Sequence, residues 1–153
     1  MSDAQTDFNS TLNDLIETCI DGQRGFQAAA DAVESPDLKG ELMRYSEQRG
    51  DFAAELQRLV GSSGEEPKHS GSLSGDLHRG WMNLRKALTS QDQHAILAEC
   101  ERGEDSAVQA YRDALDEALP PQLALPVASQ YQTIQSTHDR VRDLRDASGQ
   151  KPA

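Results

Sequence analysis

At 153 residues and a formal charge of −11, the chain is long enough to bury one core and too acidic for nucleic acid or an anionic membrane, either of which would repel its surface. Apolar residues make up 36% and aromatics only 5%, so the core must be built from Leu, Ala and Val, and the surplus of Ala, Leu, Glu, Gln and Arg favours helices. No apolar run approaches the ~20 residues of a membrane span, and the acidic opening MSDAQTDFNS is unlike a secretion signal, so the expected location is the cytoplasm.

One domain over residues 11–147 is expected, with 1–10 and 148–153 as flexible tails. Ser10 or Thr11 can cap a first helix from about Leu12 to Val33. Its apolar face is Leu12, Leu15/Ile16, Cys19, Phe26, Ala29/Ala30 and Val33. Gly22 and Gly25 sit inside it, each costing ~1 kcal/mol against alanine, which points to the close approach of another helix there. Glu17 and Asp21 fall beside the stripe and are expected at the solvated boundary. Ser35-Pro36 stops this helix and starts the next, serine as cap and proline in the first turn.

The second helix, about Pro36 to Val60, carries Leu38, Leu42, Tyr45, Arg49, Phe52/Ala53, Leu56 and Leu59/Val60 on one face, so Arg49 is a charge within an apolar stripe. GSSGEEPKHSG, residues 61–71, is the clearest loop. Leu73, Leu77, Trp81, Leu84 and Leu88 then repeat at helical spacing, predicting a short extra helix capped by Ser72 or Ser74, with His78 in a packing role.

Ser90 and Gln93 have capping-box spacing, and the stretch Ala95 to Leu119 reads as the central amphipathic helix. Its stripe is Leu97, Cys100, Glu104, Ala107, Tyr111, Ala114/Leu115 and Ala118/Leu119. Residues three and four apart share a face, so Glu104 points with Cys100, Ala107 and Tyr111, and a carboxylate there needs a metal, an arginine or a histidine. Pro126 predicts a separate turn or a kink at the front of the last helix. From Val127 the expected face is Tyr131, Ile134, His138, Val141 and Leu144/Arg145. Cys19 and Cys100, both in core stripes, read as buried small hydrophobes rather than a disulfide.

Four long helices with short links within each half and a long crossing between the second and the central helix match the ferritin-like bundle order. The fold class is therefore all-α, a four-helix bundle with a short helix in the crossover. The segments LNDLIETCIDGQRGF, FAAELQRLV, LHRGWMNLRKAL, AILAECERGEDSAVQAYRDAL and THDRVRDLRD together resemble an uncharacterised bacterial family of ferritin-like four-helix-bundle proteins, a domain of unknown function.

The resemblance implies distant kinship to di-iron carboxylate proteins, whose sites take one glutamate from each of two helices and Glu-x-x-His from each of the others. Glu104 fits the single glutamate of the third long helix and His138 the histidine of the fourth, where Gln135 replaces the paired glutamate. Glu47 fits the glutamate of the second helix, but Gly50 stands in place of its histidine. In the first helix Cys19 takes the inward slot and Glu17 is displaced from it. Arg49 enters the same region.

Two functional readings follow. In the first, a buried network of Arg49, Glu104 and His138 replaces the metals, and the chain is a non-enzymatic, stress-associated helical bundle with no cofactor and no catalytic residue. In the alternative, iron is bound, with Glu104 and His138 as ligands and Glu47 and Glu17 after them, for oxidase, peroxidase or metal-storage chemistry. Ferritin relatives also imply a homodimer through the first two helices, with any protein partner left unidentified.

Overall fold

The computed structural model describes residues 3–72 and 80–149. Among these residues it contains five helices and no strand: α1 (Asp3–Ala32), α2 (Pro36–Gly61), α3 (Leu84–Ser90), α4 (Gln93–Leu115) and α5 (Pro121–Gly149). The chain is all-α. Contacts pair α1 with α2 and α4 with α5, and α1–α4 and α2–α5 join the two pairs.

Side-chain bonds fix the directions. Lys39 Nζ donates to Ala30 O and Ser46 Oγ to Gln23 O, so residue numbers fall on α1 as they rise on α2. The same inverse register joins α4 to α5 through Tyr111–Gln130 and His94–Arg145, and α2 to α5 through Gln48–Thr137 and Glu41–Arg140. Each adjacent pair is therefore antiparallel, and α2 and α4 face one another across the diagonal.

The links have local causes. Ser35 is extended (φ −63°, ψ 121°) and its Oγ accepts from Leu38 N, with Pro36 in the first turn where its missing N–H costs nothing. At the start of α4 the cap is Asp92, whose Oδ1 accepts from His94 N, and not Ser90, which closes α3 by donating to Ala87 O. Aspartate two residues before the amide reaches it directly, so the predicted capping box does not form.

Other boundaries also move. α1 begins at Asp3, because the apolar face continues back through Phe8 and because Asn9 Nδ2, buried, donates to Ser63 Oγ at 2.9 Å and to Glu65. α4 stops at Leu115, short of Leu119, as the chain turns towards Pro120-Pro121. Pro126 lies inside α5 without ending it: Leu123 and Ala124 N–H both bond Pro120 O, so the helix is nucleated before the proline is reached. The short helix of the crossing begins at Leu84, and Trp81 precedes it in a turn entered through Gly80 at φ +98°. Leu73, Ser74, Leu77 and His78 lie outside the described residues.

The core has two apolar clusters stacked along the helices. One holds Leu12, Leu15, Cys19, Leu56, Tyr111, Val127 and Ile134, and the other Phe26, Leu42, Trp81, Leu84, Leu97, Cys100 and Val141. Trp81 is wedged between α1 and α4 where both backbones are bare: a Cβ at either Gly25 or Gly103 would collide with its ring. Gly25 is thus explained by an indole rather than by a neighbouring helix. No helix of the described residues is long and apolar enough to cross a membrane.

Candidate functional site

On α2 the buried positions run Leu38, Leu42, Ser46, Arg49, Ala53, Leu56, Val60, and on α4 they include Cys100, Glu104, Ala107, Tyr111 and Ala114. Steps of three and four keep each series on one face, which brings Arg49 and Glu104 to the centre of the molecule. They meet across the diagonal at the level where one apolar cluster gives way to the other. Arg49 is 1% and Glu104 0% exposed, and the guanidinium grips the carboxylate with both Nη1 and Nη2.

The surroundings are shaped for this pair. A Cβ at Gly22 would sit 3.3 Å from Arg49 Nη1, so the glycine makes room for the guanidinium. The Arg49 head lies 5.4 Å from the Phe26 ring centroid, and its Nε donates to Gln48 Oε1 at 3.3 Å. Burial by itself pushes Arg49 towards losing its charge; the Glu104 carboxylate and its hydrogen bonds more than reverse this and hold the guanidinium above its ordinary pKa.

Beside the pair runs a chain of polar groups. Tyr111 Oη donates to Gln130 Oε1 at 2.6 Å, and Gln130 Nε2 donates to Glu55 Oε1 at 2.6 Å and Phe52 O at 3.3 Å. Since the tyrosine hydrogen is committed to Gln130, the Cys19 thiol donates to Tyr111 Oη, 3.0 Å away. Burial pushes the Cys19 thiol up to about 11 and Cys100 higher still, so both are inert thiols, and both are free.

His138 does not join Arg49 and Glu104. The buried positions of α5 are Leu123, Val127, Gln130, Ile134, Thr137 and Val141, so the inward seam passes through Gln130 and Thr137 rather than Tyr131 and His138. One residue is about 100° of helix rotation, since a turn takes ~3.6 residues. His138 therefore points to the flank between α4 and α5, where its Nε2 lies 2.6 Å from Asp105 Oδ1 and 3.9 Å from Glu101 Oε2. Its Nδ1 lies 3.1 Å from Asp139 Oδ1, and that hydrogen bond holds the Asp139 carboxyl below its usual range. Glu101 and Asp105 went unnoticed in the sequence because they share the exposed-looking side of a charged helix.

The other expected ligands are scattered. Glu47 is exposed on α2. Gln135 bonds Tyr131 and Asp139 on the surface of α5. At Gly50, where a histidine would complete a di-iron set, a Cβ would be 2.7 Å from Gln23 Nε2, so the side chain of Gln23 fills that space.

Glu17 and Asp21 are buried, contrary to the solvated boundary expected for them. The segment after α2 folds back over α1: Lys68 N donates to Asn13 Oδ1, Lys68 Nζ lies 3.5 Å from Glu17, and Ser72 N donates to Asp21 Oδ1 at 3.1 Å. A periodicity argument on one helix does not register a covering loop. Glu99 was missed for a similar reason: it is buried beneath the turn before α3, accepting from Asn83 N at 3.1 Å and from Arg102 at 2.9 Å.

The arrangement does not fit a di-iron centre. Such a centre needs several carboxylates converging on one point to offset two cations, whereas among the described residues Glu104 is neutralised by a guanidinium and the other buried acids, Glu17, Asp21 and Glu99, lie beneath returning loops. Residues 7–117 match the family model described as Domain of unknown function (DUF2383). The chain belongs to the DUF2383 family. The match takes in Arg49, Glu104, Trp81 and both glycines that receive its ring, and ends before α5. No curated protein matches the chain.

Proposed function

We propose that this DUF2383 chain is a non-enzymatic bundle of ferritin-like descent, in which an arginine has taken the place of metal as the neutralising partner of the core carboxylate. The Arg49–Glu104 pair carries this reading. Both members are buried, Nη1 and Nη2 of the guanidinium meet both carboxylate oxygens, and the pair occupies the region a metal centre would need. The antiparallel pairing of α1 with α2 and α4 with α5, separated by a long crossing, supports the kinship. Inert buried thiols and a core sealed by Trp81 support a structural or interaction role over a catalytic one.

The test is iron chemistry in solution. With ferrous iron and either dioxygen or hydrogen peroxide, the purified protein is expected to form ferric product no faster than buffer. Catalysed oxidation that disappears in Glu104→Gln would overturn the proposal in favour of an oxidase or peroxidase.

A further inference from the structure

The cluster on the α4–α5 flank has the features of a cation site that the core lacks. Glu101 and Asp105 are one turn apart on α4, and His138 reaches them from α5, so the donors come from two helices and converge. One ligand atom from each lies within 4.8 Å of the others. Glu101 and His138 side chains are only 13% and 14% exposed, while Asp105 opens to solvent. The set has a protected floor and one wet side.

Two further contacts orient these donors. Asp139 Oδ1 engages Nδ1 of His138, which turns Nε2 towards the α4 carboxylates. A carboxylate on the distal nitrogen is the usual way a metal-bound imidazole is fixed in tautomer and direction. Arg145 binds Glu101 through Oε1, leaving Oε2 as the oxygen facing His138. Arg145 also bonds Asp146, so its charge is shared with a second carboxylate.

The distances suit a small divalent ion. With metal–nitrogen and metal–oxygen bonds of ~2.1 Å and a tetrahedral angle, neighbouring donors stand about 3.4 Å apart. Nε2 lies 2.6 Å from Asp105 Oδ1 and 3.9 Å from Glu101 Oε2, values that bracket this spacing. A nitrogen with two carboxylate oxygens favours zinc or a neighbouring transition metal over calcium or magnesium, which prefer all-oxygen sets.

We propose that Glu101, Asp105 and His138 bind one divalent transition-metal ion, with water completing the coordination and Asp139 as the positioning residue for His138. The ion would clasp α4 to α5 on the outside of the bundle. It is distinct from the core pair, because its donors are partly or openly exposed on the α4–α5 flank whereas Arg49 and Glu104 are fully buried.

Isothermal titration of the full chain with zinc chloride tests this, with circular dichroism to check that each variant is folded. The wild type is expected to bind one zinc per chain saturably. His138→Gln and Asp105→Asn should each weaken that binding by at least about tenfold, and Asp139→Asn by about 10–100-fold with the stoichiometry kept, as removal of an orienting carboxylate does. His94→Gln and the core double variant R49M/E104L should bind as wild type. Absence of a saturable 1:1 site would overturn the proposal, as would zinc binding unchanged in folded His138→Gln. A zinc site lost in R49M/E104L but kept in His138→Gln would overturn it too, and would place the metal in the core.

Discussion

Replacing Arg49 by methionine keeps most of the buried stem and removes the charge, leaving the Glu104 carboxylate stranded in a site with no solvent to turn to. Its least costly escape is protonation. An ordinary glutamate has a pKa of about 4.3, so protonating one at pH 7 costs about 3.7 kcal/mol, and at pH 5 only about 1 kcal/mol. The pH 7 figure falls within the roughly 3–5 kcal/mol lost when one member of a buried pair is removed. Because the pair is 1% and 0% exposed, solvent screening gives no discount.

The sign follows from proton uptake. Folded R49M holds a proton that its unfolded chain releases above about pH 4.3, so its stability should fall by up to about 1.4 kcal/mol per pH unit as pH rises, relative to wild type. Replacing both residues, R49M/E104L, removes both charges and should return stability to within about 1 kcal/mol of wild type or above it. Urea unfolding followed by circular dichroism at pH 5, 6 and 7 measures all of this. An R49M loss below about 1 kcal/mol at pH 7, or one that does not grow with pH, would contradict a charge pair isolated from water.

Two glycines should respond oppositely to alanine. Gly103→Ala forces a methyl into the Trp81 ring and should cost roughly 1–3 kcal/mol, with a red shift of Trp81 fluorescence, whereas Gly40→Ala, whose Cβ would meet only Arg44 at 3.9 Å, should gain up to about 1 kcal/mol. Both thiols should resist Ellman's reagent at pH 8 in the folded protein and react in urea; fast labelling of either in the native state would show that the core opens. Since the Cys19 pKa is raised to about 11 from 9.0, its stabilising contribution should be complete below pH 9 and fade towards pH 11, and Cys19→Ala should flatten that part of the stability profile. Glu41 behaves in the reverse sense. The hydrogen bond from Arg140 holds its carboxyl below 4.5, so the stability difference between wild type and Glu41→Gln should be present at pH 6 and shrink as pH falls below 4.5.

The elements were legible because periodicity is a local property. The apolar stripes of α1, α2 and α4, the Ser35-Pro36 boundary, and the two charges that interrupt those stripes all lie within one or two helical turns of sequence. Arg49 and Glu104 stood out for that reason, although only the four-helix arrangement that sets α2 and α4 on one diagonal makes them partners. On α5 the inward seam passes through Gln130 and Thr137, which are polar, and the more hydrophobic Tyr131 drew the expected face one residue round. That single phase error moved His138 from the flank into the core.

Burial by distant segments was not legible at all. Asp21 lies under Ser72 and Glu99 under Asn83, contacts set by where loops return. The glycines show the same limit from the other side. Gly25 and Gly103, far apart in sequence, have one cause in Trp81, and no local pattern announces it.

Iron counting tests the central claim most directly. The wild-type chain and E104Q would be incubated anaerobically with excess ferrous iron, desalted and subjected to elemental analysis, with His138→Gln beside them to separate the flank from the core. If Arg49 neutralises Glu104, the wild type retains at most one iron per chain, E104Q retains the same amount, and any iron present is lost in His138→Gln. Two irons per chain in the wild type, lost in E104Q and kept in His138→Gln, would mean that the core carboxylate serves a metal and that Arg49 yields to it.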